Sequence, residues 1–111
     1  MNREITHTVE FEAFYRTLDL RSRKKMAQVV DIIRCADVIS TKFVKKLVDT
    51  EFYEVRISAN NEYRVITLAV DNDNIMNATQ IIFLNGFIKK STKDYDSQIA
   101  KATTILNTLS K

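Results

Sequence analysis

The sequence predicts an α+β domain: a twisted antiparallel sheet with two N-terminal helices packed on one face and a C-terminal helix. Three observations carry that prediction. Residues 52–58, 62–70 and 79–85 are strand-length runs rich in apolar, β-branched and aromatic side chains, the first of them alternating with period two. On either side of these runs, apolar residues recur at helical spacing. The chain is 111 residues long and 45% hydrophobic, which suits one domain spanning 1–111 and excludes full disorder. With no proline and a single glycine, it is neither collagen-like nor of low complexity.

The elements follow in order. Residues 5–9 alternate, with Ile5, His7 and Val9 on one face of a first strand. His7 is the only histidine, and a packed or edge position is expected for it rather than catalysis. Phe11, Phe14 or Tyr15, and Leu18 mark a short first helix. Asp19 or Ser22 is placed to cap a second helix by accepting its orphan N–H groups. The apolar stripe of that helix is Met26, Val29, Val30, Ile33 and Ala36. A loop at Ile39-Ser40-Thr41 and a basic stretch from Lys42 to Lys46 come next.

In 52–58, Tyr53, Val55 and Ile57 share one face, and Glu54, Arg56 and Ser58 the other. Asn60-Asn61 tolerates the left-handed conformations of a tight hairpin, so 62–70 pairs antiparallel with 52–58. The second half of 62–70 is apolar on both faces, which places it centrally in the sheet. Asp71-Asn-Asp-Asn74 is a turn; as a calcium loop it would need Gly and Glu where Met76 and Ile82 stand. The last strand is expected to end at Gly86. Asp94 or Asp96 is expected to cap a final helix with the buried stripe Ile99, Ala102, Leu106 and Leu109.

Several classes of function are excluded. A lone cysteine, Cys35, supports no disulfide framework and no multi-cysteine zinc site, and no catalytic partner for it is in evidence. No glycine-rich phosphate loop exists. No cofactor and no metal are expected. The first residues lack the apolar core of a signal peptide, and no run approaches the roughly 20 apolar residues that span a bilayer. A cytoplasmic protein with no membrane partner is expected.

The net charge is +3 and the pI about 9.1. Residues 20–50 carry eight basic and three acidic side chains, and residues 85–111 five lysines against Asp94 and Asp96. Two basic segments point to a polyanionic partner such as nucleic acid. The hairpin about Asn60-Asn61 sets Arg56 and Arg64 nearly opposite each other. Like charges facing across a sheet repel unless an anion lies between them, and Glu54 or a phosphate fits that place. Lys45, Lys46, Lys89, Lys90 and Lys93 flank this pair in sequence.

Four segments carry a resemblance: Phe43-Val-Lys-Lys-Leu47, Phe52-Tyr-Glu-Val-Arg-Ile57, Glu62-Tyr-Arg-Val65 and Leu84-Asn-Gly-Phe-Ile-Lys-Lys90. In this order and spacing the chain resembles the phage-derived HigB branch of the RelE/ParE toxin superfamily. The resemblance implies a RelE-like fold and the toxin of a type II toxin–antitoxin pair. That toxin would be a ribosome-dependent endoribonuclease cutting mRNA during translation and inhibiting growth. It implies a HigA-like helix-turn-helix antitoxin as partner, beside the ribosome and mRNA. The matching positions are Lys46, Arg56, Arg64, Phe87, Lys89 and Lys90. Asn85 stands where this branch commonly has His. Asp94-Tyr95 replaces a proline-containing helix start, near the loop where related toxins carry a functional tyrosine. A ParE-like gyrase inhibitor, or an inactive module that only binds its antitoxin, is the alternative.

Cleavage by a neighbouring 2′-hydroxyl requires a base, an acid and cations on the crowded phosphate. Arg56 and Arg64 suit the phosphate, because a guanidinium fork grips two oxygens. Glu54 or a lysine serves as base; Lys89, Lys90 or Tyr95 as acid. The catalytic set expected is therefore Arg56, Arg64, Glu54, Lys89 and Lys90. Lys45, Lys46, Phe87, Lys93 and Tyr95 are expected to contact RNA. Arg64, on the central strand, is expected to be held rigidly without filling the core.

Overall fold

A computed structural model describes residues 1–110. Strand β1 spans Glu4–His7, helix α1 Val9–Arg16 and helix α2 Leu20–Cys35. Strands β2 (Val44–Lys46), β3 (Tyr53–Ser58), β4 (Glu62–Ala69) and β5 (Gln80–Ile88) follow, and helix α3 (Asp94–Leu109) completes the chain. The sheet order is β1-β5-β4-β3-β2, so β4 is central, as its two apolar faces require. The radius of gyration is 13.0 Å, the size expected of one compact domain of this length.

The expected antiparallel sheet is present from β2 through β5. The first strand departs from it: β1 pairs parallel with β5. The chain leaves β1, runs through α1 and α2 on one face, and builds the other four strands before returning beside it. A parallel neighbour needs such a long connection, and the two helices supply it.

Local capping chemistry starts both N-terminal helices. Thr8 accepts a hydrogen bond from the Phe11 N–H at α1, and Asp19 accepts one from the Ser22 N–H at α2. Phe11, Met26, Val29 and Ile33 bury the helices' apolar stripes against Val55, Ile57, Val65 and Phe83. The opposite face carries a smaller core in which Phe52, Ile66, Leu84 and Phe87 meet Ala102 and Ile105 of α3.

The basic stretch Lys42–Lys46 ends in a short strand, Val44–Lys46, which pairs with β3. Three local expectations are corrected. Asn60 and Asn61 keep negative φ, and the hairpin loop between the paired residues Ser58 and Glu62 has three residues rather than two. Helix α3 has no side-chain cap; Asp94 instead reaches back to accept the Lys90 and Ser91 N–H groups. Those two N–H groups hold the Asp94 carboxyl below the ordinary aspartate range. The buried stripe of α3 runs through Ile105, while Leu109 is exposed.

Gly86 does not end the last strand but lies inside β5, opposite Val65. The reason is steric. A Cβ at Gly86 would lie 2.3 Å from Phe14 Cδ2, so the α1 aromatic packs directly on the strand backbone. Phe14 is fixed in turn against the Tyr63 ring, with centroids 6.1 Å apart. Gly86→Ala is expected to destabilise the protein by about 1–3 kcal/mol through overpacking. Adding Phe14→Leu should recover part of that loss in a thermal melt. A Gly86→Ala variant that melts with the parent removes this account of the glycine.

Between Ile66 and Thr67 the register of β4 on β5 shifts: Thr67 pairs with Phe83 and Ile66 with Asn85, leaving Leu84 as the extra residue of a bulge. Leu84 joins the α3-side core, and the Asn85 amide donates to Gln98 O and Oε1 of α3, at 3.1 and 3.0 Å. The bulge thus turns two neighbouring side chains toward the same helix and ties it to the sheet.

Candidate functional site

Arg56 on β3 and Arg64 on β4 are direct register partners. Both belong to the sheet face that α3 covers. The anion between them is Glu54. Its Oε1 lies 3.6 Å from Arg56 Nε and its Oε2 3.7 Å from Arg64 Nε. Glu54 is buried, and its Oε2 accepts no hydrogen bond among the described residues.

The two arginines differ in access. The Arg56 side chain is 34% exposed, whereas that of Arg64 is 3% exposed. Arg64 is also held at each nitrogen: Nε donates to the Tyr95 hydroxyl at 3.2 Å, one terminal nitrogen donates to the Tyr63 carbonyl at 2.9 Å, and the other lies 3.6 Å from Glu62. The expectation that Arg64 does not fill the core is therefore corrected. The first turn of α3 folds over it, and Tyr95 closes the cover. Burial and then the neighbouring Glu54 carboxylate push the Tyr95 hydroxyl above the ordinary tyrosine range, so at neutral pH it remains a proton donor.

The remaining positions fall into three groups. Lys89 joins the site: its backbone N–H donates to Glu62 O, and its ammonium stands 5.7 Å from the Tyr95 ring centroid. Lys90 and Lys93 are exposed in the loop that Asp94 folds back. Phe87 pairs in register with Arg64, but it is buried edge-on against the Tyr95 ring and forms a wall of the site rather than a platform for a base. On β2 the two lysines part. Lys45 is exposed and shares the face of its register partner Glu54. Lys46 pairs with Tyr53 on the opposite face, stands over that ring and donates to the Thr50 carbonyl, so it is not brought together with the arginines.

Asn85, the residue that departs from the resembled motif, is buried, and its amide donates to Gln98 of α3. Nothing local in the sequence announces that contact, because it depends on the bulge at Leu84. His7 is an edge residue paired with Glu12 at 3.1 Å, beside an apolar groove of 460 Å³ between β1, α1 and α2. Among the described residues, no three His, Cys, Asp or Glu side chains gather as a metal site, and no helix is long and apolar enough to cross a membrane.

This arrangement of three helices about a five-stranded sheet is shared with solved structures of RelE toxins. The chain is similar to the E. coli toxin RelE in the free state, in a mutant with two arginines replaced by alanine. There the TM-score is 0.65 at 11% identity, covering 91% of this chain and 98% of that one. It is similar to the intact E. coli RelBE toxin–antitoxin complex, with TM-score 0.58, 12% identity, and coverage of 80% and 99%. Isolated E. coli RelE gives a TM-score of 0.52 at 11% identity over 89% and 97%. No curated protein sequence matches the chain. Residues 13–107 match the family described as Phage derived protein Gp49-like (DUF891), and the chain belongs to that family.

Proposed function

We propose that the chain is the toxin of a type II toxin–antitoxin pair and that it cleaves mRNA on the translating ribosome. The observation that carries this reading is the rim of the sheet. Arg56 is partly open to solvent and is oriented by the buried Glu54, on the face where Tyr95 covers its register partner Arg64 and Lys89 stands over the Tyr95 ring. The shared fold with RelE, one of whose solved forms is a complex with its antitoxin, supports it.

In that reaction a 2′-oxygen attacks the adjacent phosphorus, the 2′-hydroxyl loses its proton, and the 5′-oxygen leaves with a proton. Arg56 holds the phosphate and stabilises the charge that grows on its non-bridging oxygens. Tyr95 protonates the departing 5′-oxygen. The 2′-proton passes to the unprotonated amine form of Lys89 or Lys90 at the open rim. Glu54 and Arg64, both buried, are positioning residues: they hold Arg56 and Tyr95 without touching RNA. General acid and base catalysis contribute about 10²–10⁴. The in-line geometry comes from the ribosome, which suits so small a catalytic inventory. The antitoxin is a HigA-like helix-turn-helix protein, and the site of action is the cytoplasm.

Expression without the antitoxin should arrest growth. Primer extension should map cuts in translated messages and none in the same RNA free of ribosomes. Intact messages accompanied by poisoned gyrase would overturn the reading in favour of a ParE-like inhibitor. Intact messages with unimpaired growth would leave only an antitoxin-binding module.

A further inference from the structure

A cluster of cations at the start of α2 belongs neither to the core nor to the Arg56 rim. Arg21, Lys24 and Lys25 line a cleft of 300 Å³ with Gln28, Ser58 and Ala59, between α2 and the β3–β4 hairpin. Among the described residues, every other arginine is engaged. Arg3 donates to backbone carbonyls, Arg16 pairs with Glu12, and Arg23 lies over the Tyr15 ring. Arg34 pairs with Asp31, and Arg56 and Arg64 pair with Glu54. Arg21, Lys24 and Lys25 make no salt bridge, side-chain hydrogen bond or ring contact among the described residues. The first turn of α2 contains no acidic residue, and the Asp19 carboxylate before it is occupied by the Ser22 N–H and the Asn60 amide. Cations at this end of a helix oppose its dipole by a few tenths of a kcal/mol each, and no acidic side chain in the first turn offsets them.

We propose that this cleft binds phosphates of the RNA strand flanking the one held at Arg56. The proposal rests on the function proposed above. Ser58 lies two residues beyond Arg56 on β3, about 7 Å along the strand. The cleft lies on the α2 side of the sheet and the Arg56 rim on the α3 side, and both border the hairpin end of β3. A single strand draped over that hairpin reaches both. The lining suits phosphate: three cations, one with a bidentate fork, beside the Ser58 hydroxyl and the Gln28 amide, with Ala59 alone apolar.

The test is the salt dependence of binding to a single-stranded RNA oligonucleotide carrying 2′-O-methyl groups, so that it cannot be cut. The parent is compared with the triple variant Arg21→Gln, Lys24→Gln, Lys25→Gln, whose fold is checked by circular dichroism. Each single-strand phosphate contact contributes about 0.7 to the slope of log affinity against log salt, so losing three lowers the slope by about 2. Arg56→Ala should lower it by about 0.7. A triple variant with the parent's slope overturns the cleft, and so does a parent that binds no RNA. An unchanged RNA slope with loss of binding to an acidic protein partner overturns it as well. If the parent cuts no mRNA on ribosomes yet the slope falls in the triple variant, the ribonuclease reading fails and the RNA surface stands.

Discussion

Arg56→Ala is expected to slow mRNA cleavage by about 10²–10³, the loss typical of one electrostatic contact made in the transition state, while unfolding at nearly the parent's temperature. The Arg56 side chain is partly exposed and its ion pair with Glu54 spans 3.6 Å, so little stability rests on it. Arg56→Lys should recover only part of the rate, because an ammonium keeps the charge and loses the fork. Arg64→Ala should behave differently. It leaves Glu54 buried with a single, solvent-screened partner, and breaking a buried pair from one side costs about 3–5 kcal/mol. Its loss of cleavage is therefore accompanied by a large drop in urea midpoint. The double variant Glu54→Gln, Arg64→Met removes both buried charges and should regain much of the stability but not the activity. An Arg56→Ala protein that cleaves at the parent's rate would remove Arg56 from the reaction. An Arg64→Ala protein as stable as the parent would contradict the buried pair.

The contrast between these two arginines marks where sequence reasoning reached and where it stopped. The direct Arg56–Arg64 register was legible, because a short hairpin loop fixes the pairing of its strands, and Glu54 was legible as the intervening anion because period two puts it on the same face. The Asp19 cap and the central place of β4 were legible for equally local reasons. The burial of Arg64 was not. It depends on α3, some thirty residues downstream, laying Tyr95 across the guanidinium, and no local pattern encodes that crossing. The bulge at Leu84 was hidden in the same way, and with it the turn of Asn85 toward Gln98. Gly86 read as a strand end because isolated glycines punctuate chains; in the fold it makes room for Phe14. Lys45 and Lys46, adjacent in sequence, part onto opposite faces because they lie on a strand.

Arg3 is the residue that sequence reasoning passed over entirely, and a loss of stability as large as that at Arg64 is expected there. It lies beside β1, is 1% exposed, and has no carboxylate partner among the described residues. Its guanidinium instead donates to the carbonyls of Ile33, at 2.8 Å, and Ala36 at the end of α2, and to those of Met76, at 3.0 Å, and Ile75 before β5. One side chain thus ties three separate parts of the chain, and the negative end of the α2 dipole favours its charge. A hydrogen bond to a charged group contributes about 1.5–3 kcal/mol, and carbonyls left buried and unpaired add their own cost. Arg3→Met, which keeps the apolar stem but not the donors, should therefore lose about 3–5 kcal/mol. For a domain of this size that lowers the melting temperature by more than about 15 °C. Arg3→Lys should not rescue it, since a point ammonium cannot span carbonyls arranged around a planar fork. Urea unfolding with an unchanged m value would show that the native state, and not the denatured ensemble, has lost the stability. An Arg3→Met midpoint within about 1 kcal/mol of the parent would mean that water or neighbouring donors replace the guanidinium at those carbonyls.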